Sequence, residues 1–315
     1  MVIPPSRWRT TLRSPLVKLA LSTALLALLF SQTDTRDLGA AVAAADPRWL
    51  ALGFAANAAS QVVSAYRWWL LTVAVGFDAP LRRVASYYFG GMYLNLFGPG
   101  TVTGDVGRSL FLADGRRRGL ALTTVVAHRA FGFVALVWVS AAALLLTREL
   151  PLPPLARLLA ALAIPVTLAA WLVGPRLAAR MLPPTNRLRR LVEHDLAPYW
   201  RDTRLLCASL TLAMLVHVLQ IGGQMAVGRA LGLALPGAVF WVVVPILNAL
   251  STLPFSLSGL GVREAGYWYA LPQLGVAPGS AVAVGLLASA IVLVTGLCGL
   301  PFFLLTRRGP RRIKR

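Results

Sequence analysis

Long apolar segments alternate with short polar ones from one end of the chain to the other. A helix needs roughly 20 apolar residues to cross the hydrocarbon core of a bilayer. Six segments approach or exceed that length: Leu16–Gln32, Trp49–Val75, Leu120–Leu146, Ala156–Val173, Leu205–Val227 and Ser280–Leu305. The pattern predicts an all-α, polytopic integral membrane protein with about six full spans.

Two further apolar regions are interrupted, and each falls into pieces too short to span. The pieces are Val84–Gly98 with Val102–Ala113, and Ala238–Pro254 with Ala265–Leu274. Turn-forming residues lie at both breaks: Gly98, Pro99, Gly100 and Gly104 in the first, and Pro254, Gly259 and Gly261 in the second. Non-helical backbone at membrane depth persists only where it is buried in protein or lines a wet cavity. The pattern therefore predicts two re-entrant helical hairpins, at about 84–113 and 238–274.

Basic residues lie mostly in the segments between apolar runs, and they set the predicted orientation. The chain holds 31 Lys and Arg against 11 Asp and Glu, a formal net charge of +20. Cytoplasmic loops carry the excess of Lys and Arg, and this rule favours two hairpins that open to opposite sides of the membrane. Both termini are then cytoplasmic, as is a basic segment at about 175–204 whose spacing suits an amphipathic interfacial helix. Since the arginines follow the membrane topology, their charge does not indicate a nucleic-acid partner.

Opposed interrupted segments are typical of inverted-repeat transporters with a binding site near the midplane. Each half contains an Asn, then a Pro, a Gly-rich turn, an acid and an Arg (residues 95–108 and 248–264). The two halves are therefore compatible with an inverted repeat. Composition agrees, because 57% hydrophobic residues and a mean hydropathy of +0.68 are too apolar for a soluble globule. We expect one transmembrane domain over residues 1–315.

Ionisable residues inside the apolar sequence are the first candidate functional groups. Asp105 and Arg108 follow the first break, and Arg263 and Glu264 follow the second. A charged group at membrane depth is costly and by default marks a functional site. Asp105 and Arg108 are three residues apart and share a helix face. The adjacent Arg263 and Glu264 point to different faces, which predicts ion pairs between the hairpins.

Two interpretations of these charges stay open. In the functional one, Arg108 and Arg263, with N–H groups at the hairpin-helix starts, receive an anionic head group. The carboxylates then balance the site or carry a coupling proton. In the structural one, the charges only lock the two hairpins together, as buried ion pairs often do.

Other polar residues within the spans are weaker candidates. His128 and Arg129 lie early in the third full span, and Asn95 and Asn248 precede the two breaks. We include all four in the predicted substrate or ion pathway, although each also fits packing between helices. The run Arg67-Trp68-Trp69 is interpreted as a snorkelling and aromatic anchor at the interface. The sequence has no metal-ligand spacing, cofactor loop or nucleophile motif, so we expect no metal, no cofactor and no enzyme activity.

Two motifs in order carry a family resemblance. Residues 95–108, NLFGPGTVTGDVGR, are similar to the pattern N-x-x-x-P-G-x-x-G-G-D-x-x-R, with Thr103 at the first Gly of G-G-D. Residues 253–264, LPFSLSGLGVRE, are similar to L-P-x-S-x-x-G-x-G-x-R-E. The chain thus resembles the lysylphosphatidylglycerol synthase transmembrane (flippase-like) family. That family's third element, an acid–Arg pair, matches only at Arg129, and His128 stands where the acid is expected.

The resemblance implies a flippase-like membrane domain, associated across the family with aminoacylated phospholipids, polyprenyl-phosphate-linked sugars and hopanoid pathways. We therefore expect a lipid translocase of the bacterial inner membrane that handles an amphiphile with an anionic head group. Its expected partners are membrane lipids and an envelope lipid- or glycan-modifying enzyme. The alternative is a non-transporting scaffold or accessory subunit for an envelope glycosyltransferase or lipid-modifying enzyme. The similarity is confined to the family's membrane part, so the aminoacyl-transferase chemistry of its bifunctional members is not implied.

Overall fold

A computed structural model describes residues 15–97, 102–113, 117–147, 153–183, 185–252 and 259–307. Helices make up most of these residues, and no strand occurs among them. This confirms the predicted all-α fold. The predicted turn residues Gly98, Pro99, Gly100 and Pro254 lie outside the described residues.

The helices follow the predicted apolar segments. The first seven are α1 (Pro15–Ser31), α2 (Thr35–Ala43), α3 (Pro47–Ala74), α4 (Leu81–Asn95), α5 (Val102–Leu112), α6 (Arg118–Leu146) and α7 (Pro154–Met181). Then come α8 (Arg187–Arg190), a π-helical turn (Leu191–Asp195), α9 (Ala197–Arg201), α10 (Thr203–Ala230), α11 (Gly237–Thr252), α12 (Val262–Ala270), a 3-10 turn (Pro272–Leu274), α13 (Pro278–Leu297) and α14 (Leu300–Arg307).

Four stretches of the described chain are long and apolar enough to cross a bilayer: Arg118–Leu146, Pro154–Gly174, Thr203–Ala230 and Pro278–Thr306. They coincide with four of the predicted spans, which confirms a polytopic membrane protein. The other two predicted spans also form helices. Of these, α1 has 17 residues, and α3 has 28 residues with several polar side chains along its length.

Both interrupted regions fold as helical hairpins. In the second, Gly259 lies against Ser251 and Gly266 lies against Leu247. The contact position thus moves back along α11 as α12 advances, which is antiparallel packing.

The first hairpin has the same arrangement. Gly104 lies against Gly91, and the rings of Tyr87 and Phe111 lie 6.0 Å apart, so α4 and α5 are also antiparallel. That the hairpins are re-entrant and open to opposite sides stays a prediction.

The chain divides into two compact units. The first unit comprises residues 1–58, 89–107 and 220–315, and the second comprises 59–88 and 108–219. In the first unit, α12 packs on α1, α11 and α13. In the second unit, α6 packs along α7, and an apolar core is formed by Trp68, Phe77, Val84, Leu112, Ala121 and Val125.

The basic segment at about 175–204 is not one amphipathic helix, as the spacing predicted. Helix α7 continues to Met181, and the remainder forms short helical pieces. Pro183 lies between α7 and α8, and Pro198 is the second residue of α9; proline has no backbone N–H to continue a preceding helix. Tyr199 anchors this part of the chain: it is 1% exposed, and its hydroxyl donates to the Leu71 carbonyl at 3.1 Å.

Candidate functional site: two buried polar clusters

The second unit buries three basic side chains, Arg67, Arg108 and His128, which we call the arginine–histidine cluster. They are 3%, 4% and 6% exposed, respectively. Arg67 Nη2 lies 3.0 Å from His128 Nε2 and 3.2 Å from the His128 carbonyl oxygen. Arg108 Nη2 lies 3.3 Å from His128 Nδ1. One imidazole therefore lies between two guanidinium groups.

The neighbours of His128 determine which ring nitrogen carries the proton. Guanidinium N–H groups can only donate, so a neutral imidazole can accept either from Arg108 at Nδ1 or from Arg67 at Nε2, but not from both. Nε2 lies 3.2 Å from the Ser64 carbonyl oxygen and 3.3 Å from the Ser64 hydroxyl, and a proton on Nε2 satisfies that carbonyl. We therefore assign the neutral Nε2–H tautomer, with Arg67 donating to the His128 carbonyl.

Aromatic rings hold Arg108 from the side. Its Cζ atom lies 4.8 Å from the Trp68 ring centroid and 5.3 Å from that of Tyr88. The Trp68 indole N–H donates to Thr124 Oγ1 at 3.0 Å, and the Tyr88 hydroxyl donates to Gln61 Oε1 at 3.0 Å. The face of an aromatic ring attracts a cation. The rings therefore stabilise the guanidinium without taking up its hydrogen-bond donors.

Arg67 has more donors than the described residues supply acceptors. Its Nε and Nη1 atoms are buried and have no hydrogen-bond partner among those residues. A buried polar group without a partner costs about 1–3 kcal/mol, and such groups mark places for water, an ion or a ligand. Gly132 leaves space beside this guanidinium, since a Cβ there would lie 3.4 Å from Arg67 Nη2. The cluster is chemically suited to an anion.

In the first unit, a buried carboxylate is held by the backbone of its own helix. Glu264 has no exposed surface, and its Oε2 accepts from the Gly261 N–H at 2.7 Å. Gly259 and Gly261 have φ of +85° and +86°, a conformation that favours glycine and that turns the chain into α12. Glu264 thus caps its own helix, and its Oε1 has no hydrogen-bond partner among the described residues. Ion pairs between the two hairpins stay a prediction.

Arg263 also finds a local partner. Its side chain is 6% exposed, and Nη1 donates to Ser289 Oγ on α13 at 2.9 Å. Gly285 allows α13 to approach, because a Cβ there would lie 2.7 Å from Glu264 Cα. Close backbone packing and one neutral hydroxyl therefore hold this side chain.

Amide side chains link helices elsewhere in the first unit. Asn248 donates to Gln220 at 3.3 Å, Asn57 donates to Thr295 at 2.9 Å, and Tyr267 donates to Gln224. Asn57, Gln220 and Gln224 also line a cavity of about 20 Å³, which is large enough for a single water molecule. The structure thus places Asn248 in a hydrogen bond between helices.

The remaining predicted site residues are Asn95 and Asp105, on either side of the first break, and Arg129 on α6. The Asn95 side chain accepts from the Gly104 N–H at 2.7 Å, and so closes the first hairpin. Asp105 is half-buried in the first turn of α5, and Arg129 is half-buried on α6. Of the predicted set, the structure brings Arg108 together with His128.

Sequence analysis missed Arg67, Trp68 and Tyr88. The interpretation of Arg67 and Trp68 as an interfacial anchor is wrong, because they are 3% and 0% exposed. A signal was present: Ser60, Ser64 and Arg67 lie at i, i+4 and i+7, which is one face of a helix. All three are buried. A polar stripe of this kind inside an apolar span indicates an inward face.

A family model described as the lysylphosphatidylglycerol synthase TM region matches residues 16–299. The chain belongs to this family. The matched range includes both hairpins and every residue of the arginine–histidine cluster, which confirms the resemblance carried by residues 95–108 and 253–264. A search of curated proteins found no significant match.

Proposed function

We propose that this member of the lysylphosphatidylglycerol synthase TM family is a lipid translocase for an amphiphile with an anionic head group. One observation carries the proposal: Arg67 Nε and Nη1 are buried donors without acceptors among the described residues. A phosphate group supplies several acceptor oxygens, and the guanidinium fork matches it in geometry. Membership of a family whose description names a lipid supports the same conclusion.

The surrounding residues have distinct roles in this proposal. Arg67 binds the head group, while the rings of Trp68 and Tyr88 keep Arg108 in place. His128 stays neutral and accepts from Arg108, so it separates the two guanidinium groups without adding a third charge. The head group then has two cationic groups to bind at a depth where an uncompensated charge is expensive.

The setting of the proposed site follows from the sequence. We place the protein in the bacterial inner membrane, with both termini cytoplasmic and two opposed re-entrant hairpins. Membrane lipids are its proposed partners, and no enzyme activity is invoked. A non-transporting scaffold for an envelope glycosyltransferase or lipid-modifying enzyme is the competing function.

A transport assay separates these functions. Purified protein is reconstituted into vesicles with a fluorescent phosphatidylglycerol or phosphatidylcholine, and dithionite bleaches the lipids it can reach. We expect the wild type to bring inner-leaflet phosphatidylglycerol to the outer leaflet, where dithionite bleaches it. In vesicles with Arg67→Gln, the bleached fraction should not exceed that of protein-free vesicles. Arg82→Gln, which removes an exposed arginine, is the matched control and should behave as wild type. If folded wild-type protein moves neither lipid, the translocase proposal is contradicted and the scaffold function is favoured.

A further inference from the structure

A pocket in the second unit has no part in the proposed transport. It lies where α3 ends, between α9 and the start of α10, and its volume is about 580 Å³. Its lining includes Ala74, Pro198, Arg201, Asp202, Arg204 and Leu205. A pocket of this size is in the range of small-ligand sites, and its mixed lining indicates an amphiphilic ligand.

The walls of this pocket are fixed by specific contacts. The buried Tyr199 ties α9 to α3 through the Leu71 carbonyl. Burial raises the pKa of the Tyr199 phenol, so the hydroxyl remains a donor. On the other wall, Asp202 Oδ1 accepts from the N–H groups of Arg204 at 2.9 Å and Leu205 at 3.2 Å, which caps α10.

Charge and exposure define what the pocket can hold. Arg201 and Arg204 are exposed, and neither guanidinium has a hydrogen-bond partner among the described residues. Two arginines against the single carboxylate of Asp202 leave the pocket with a small positive excess, which suits a singly charged phosphodiester. Ala74, Pro198 and Leu205 supply an apolar wall against which a glycerol backbone or the start of an acyl chain can pack.

We propose that this pocket binds the phosphodiester head group of an anionic membrane phospholipid, as a site separate from the arginine–histidine cluster. The end of α3 and the basic segment are the parts that the charge pattern predicts to be cytoplasmic. Basic groups at that surface attract anionic lipids. A lipid held here would dock α9 and the start of α10 to the membrane surface. The inference stands apart from transport, so either can fail alone.

Native mass spectrometry of the full chain tests this site. The protein is released from micelles that contain phosphatidylglycerol or phosphatidylcholine, in an Arg67→Gln background so that the cluster does not contribute. We expect Arg201→Gln/Arg204→Gln to weaken phosphatidylglycerol binding roughly 25-fold, since each interfacial arginine contributes about fivefold. Arg176→Gln/Arg180→Gln removes two exposed arginines from α7 and should retain binding. If both double variants lose phosphatidylglycerol binding equally, the lipid is held by unspecific attraction to surface arginines, and the proposal is overturned.

A steric variant tests the pocket without changing charge. Ala74→Trp fills the space between the walls, and Ala74 is exposed, so folding should be unaffected. We expect it to lose phosphatidylglycerol as fully as the double variant does, and retained binding would show that the pocket is not the site. Glycerophosphoglycerol and inorganic phosphate, added as soluble competitors, should displace little lipid. Displacement by either at low concentration would assign the site to a free phosphate compound and contradict a lipid ligand.

Discussion

The two units of the molecule hold buried charge in opposite ways. In the first, Glu264 accepts from the start of its own helix and Arg263 donates to Ser289, so the acid and the base each have one local partner, while Glu264 Oε1 and Arg263 Nε have none among the described residues. In the second, Arg108 donates to the neutral His128 ring and Arg67 donates to the His128 carbonyl, while Arg67 keeps two N–H groups without an acceptor among the described residues. Charged residues within apolar segments of one protein can therefore have different roles. The contacts of Arg263 and Glu264 stabilise the second hairpin, whereas we propose that the arginine–histidine cluster binds an anion.

The largest effect is expected where the backbones of α4 and α5 touch inside the first hairpin. Gly104→Ala would place a Cβ against the Gly91 carbonyl and the Asn95 side chain, closer than real Cβ contacts allow. Overpacking of this kind destabilises by about 1–3 kcal/mol and occasionally more. We expect a clear loss of thermal stability in detergent. Gly222→Ala on α10 meets nothing within 4 Å and should match or exceed the wild type, because Ala favours helix. Equal stabilities for the two variants would contradict a closely packed first hairpin.

The next prediction asks whether Glu264 stabilises α12 through its hydrogen bond to the Gly261 N–H or through its negative charge. Glu264→Ala leaves the Gly261 N–H without its acceptor, and we expect a loss of about 1–3 kcal/mol in the free energy of unfolding. Glu264→Gln keeps an acceptor oxygen for that N–H and should lose much less. Chemical unfolding of both variants in the same detergent is the measurement. If the glutamine variant is as unstable as the alanine variant, the negative charge is the stabilising feature and the capping account is wrong.

The same residues show what could be predicted from sequence. Glycines and prolines mark a break in an apolar run directly, so both hairpins were predicted within a few residues. The partner of Glu264 was not predicted, because the backbone reaches its carboxylate only through the positive φ of Gly261. Arg67 was missed because a position late in a span is equally compatible with snorkelling outward and with facing inward. Its direction depends on which neighbours pack around α3, and that is a tertiary property.

A smaller effect is expected when the position of the Trp68 ring beside Arg108 is disturbed. Thr124→Val removes the acceptor of the Trp68 indole N–H, and we expect a loss of about 1 kcal/mol in stability together with slower transport of anionic lipid. Thr123→Val is the matched control, since the buried Thr123 hydroxyl donates only to the Leu120 carbonyl of its own helix. Both measurements use the reconstituted protein. Identical transport rates in the two valine variants would show that the orientation of Trp68 does not matter for Arg108.

The central claim is that an anionic head group binds at Arg67 within the arginine–histidine cluster. Photo-crosslinking with a phosphatidylglycerol analogue that carries a diazirine in its head group tests this most directly, with peptide mapping of the adducts. We predict adducts on the segments that contain Arg67 and His128, loss of these adducts with excess unlabelled phosphatidylglycerol, and their absence in Arg67→Gln. Adducts that never include these segments, or that persist unchanged in Arg67→Gln, would contradict the account.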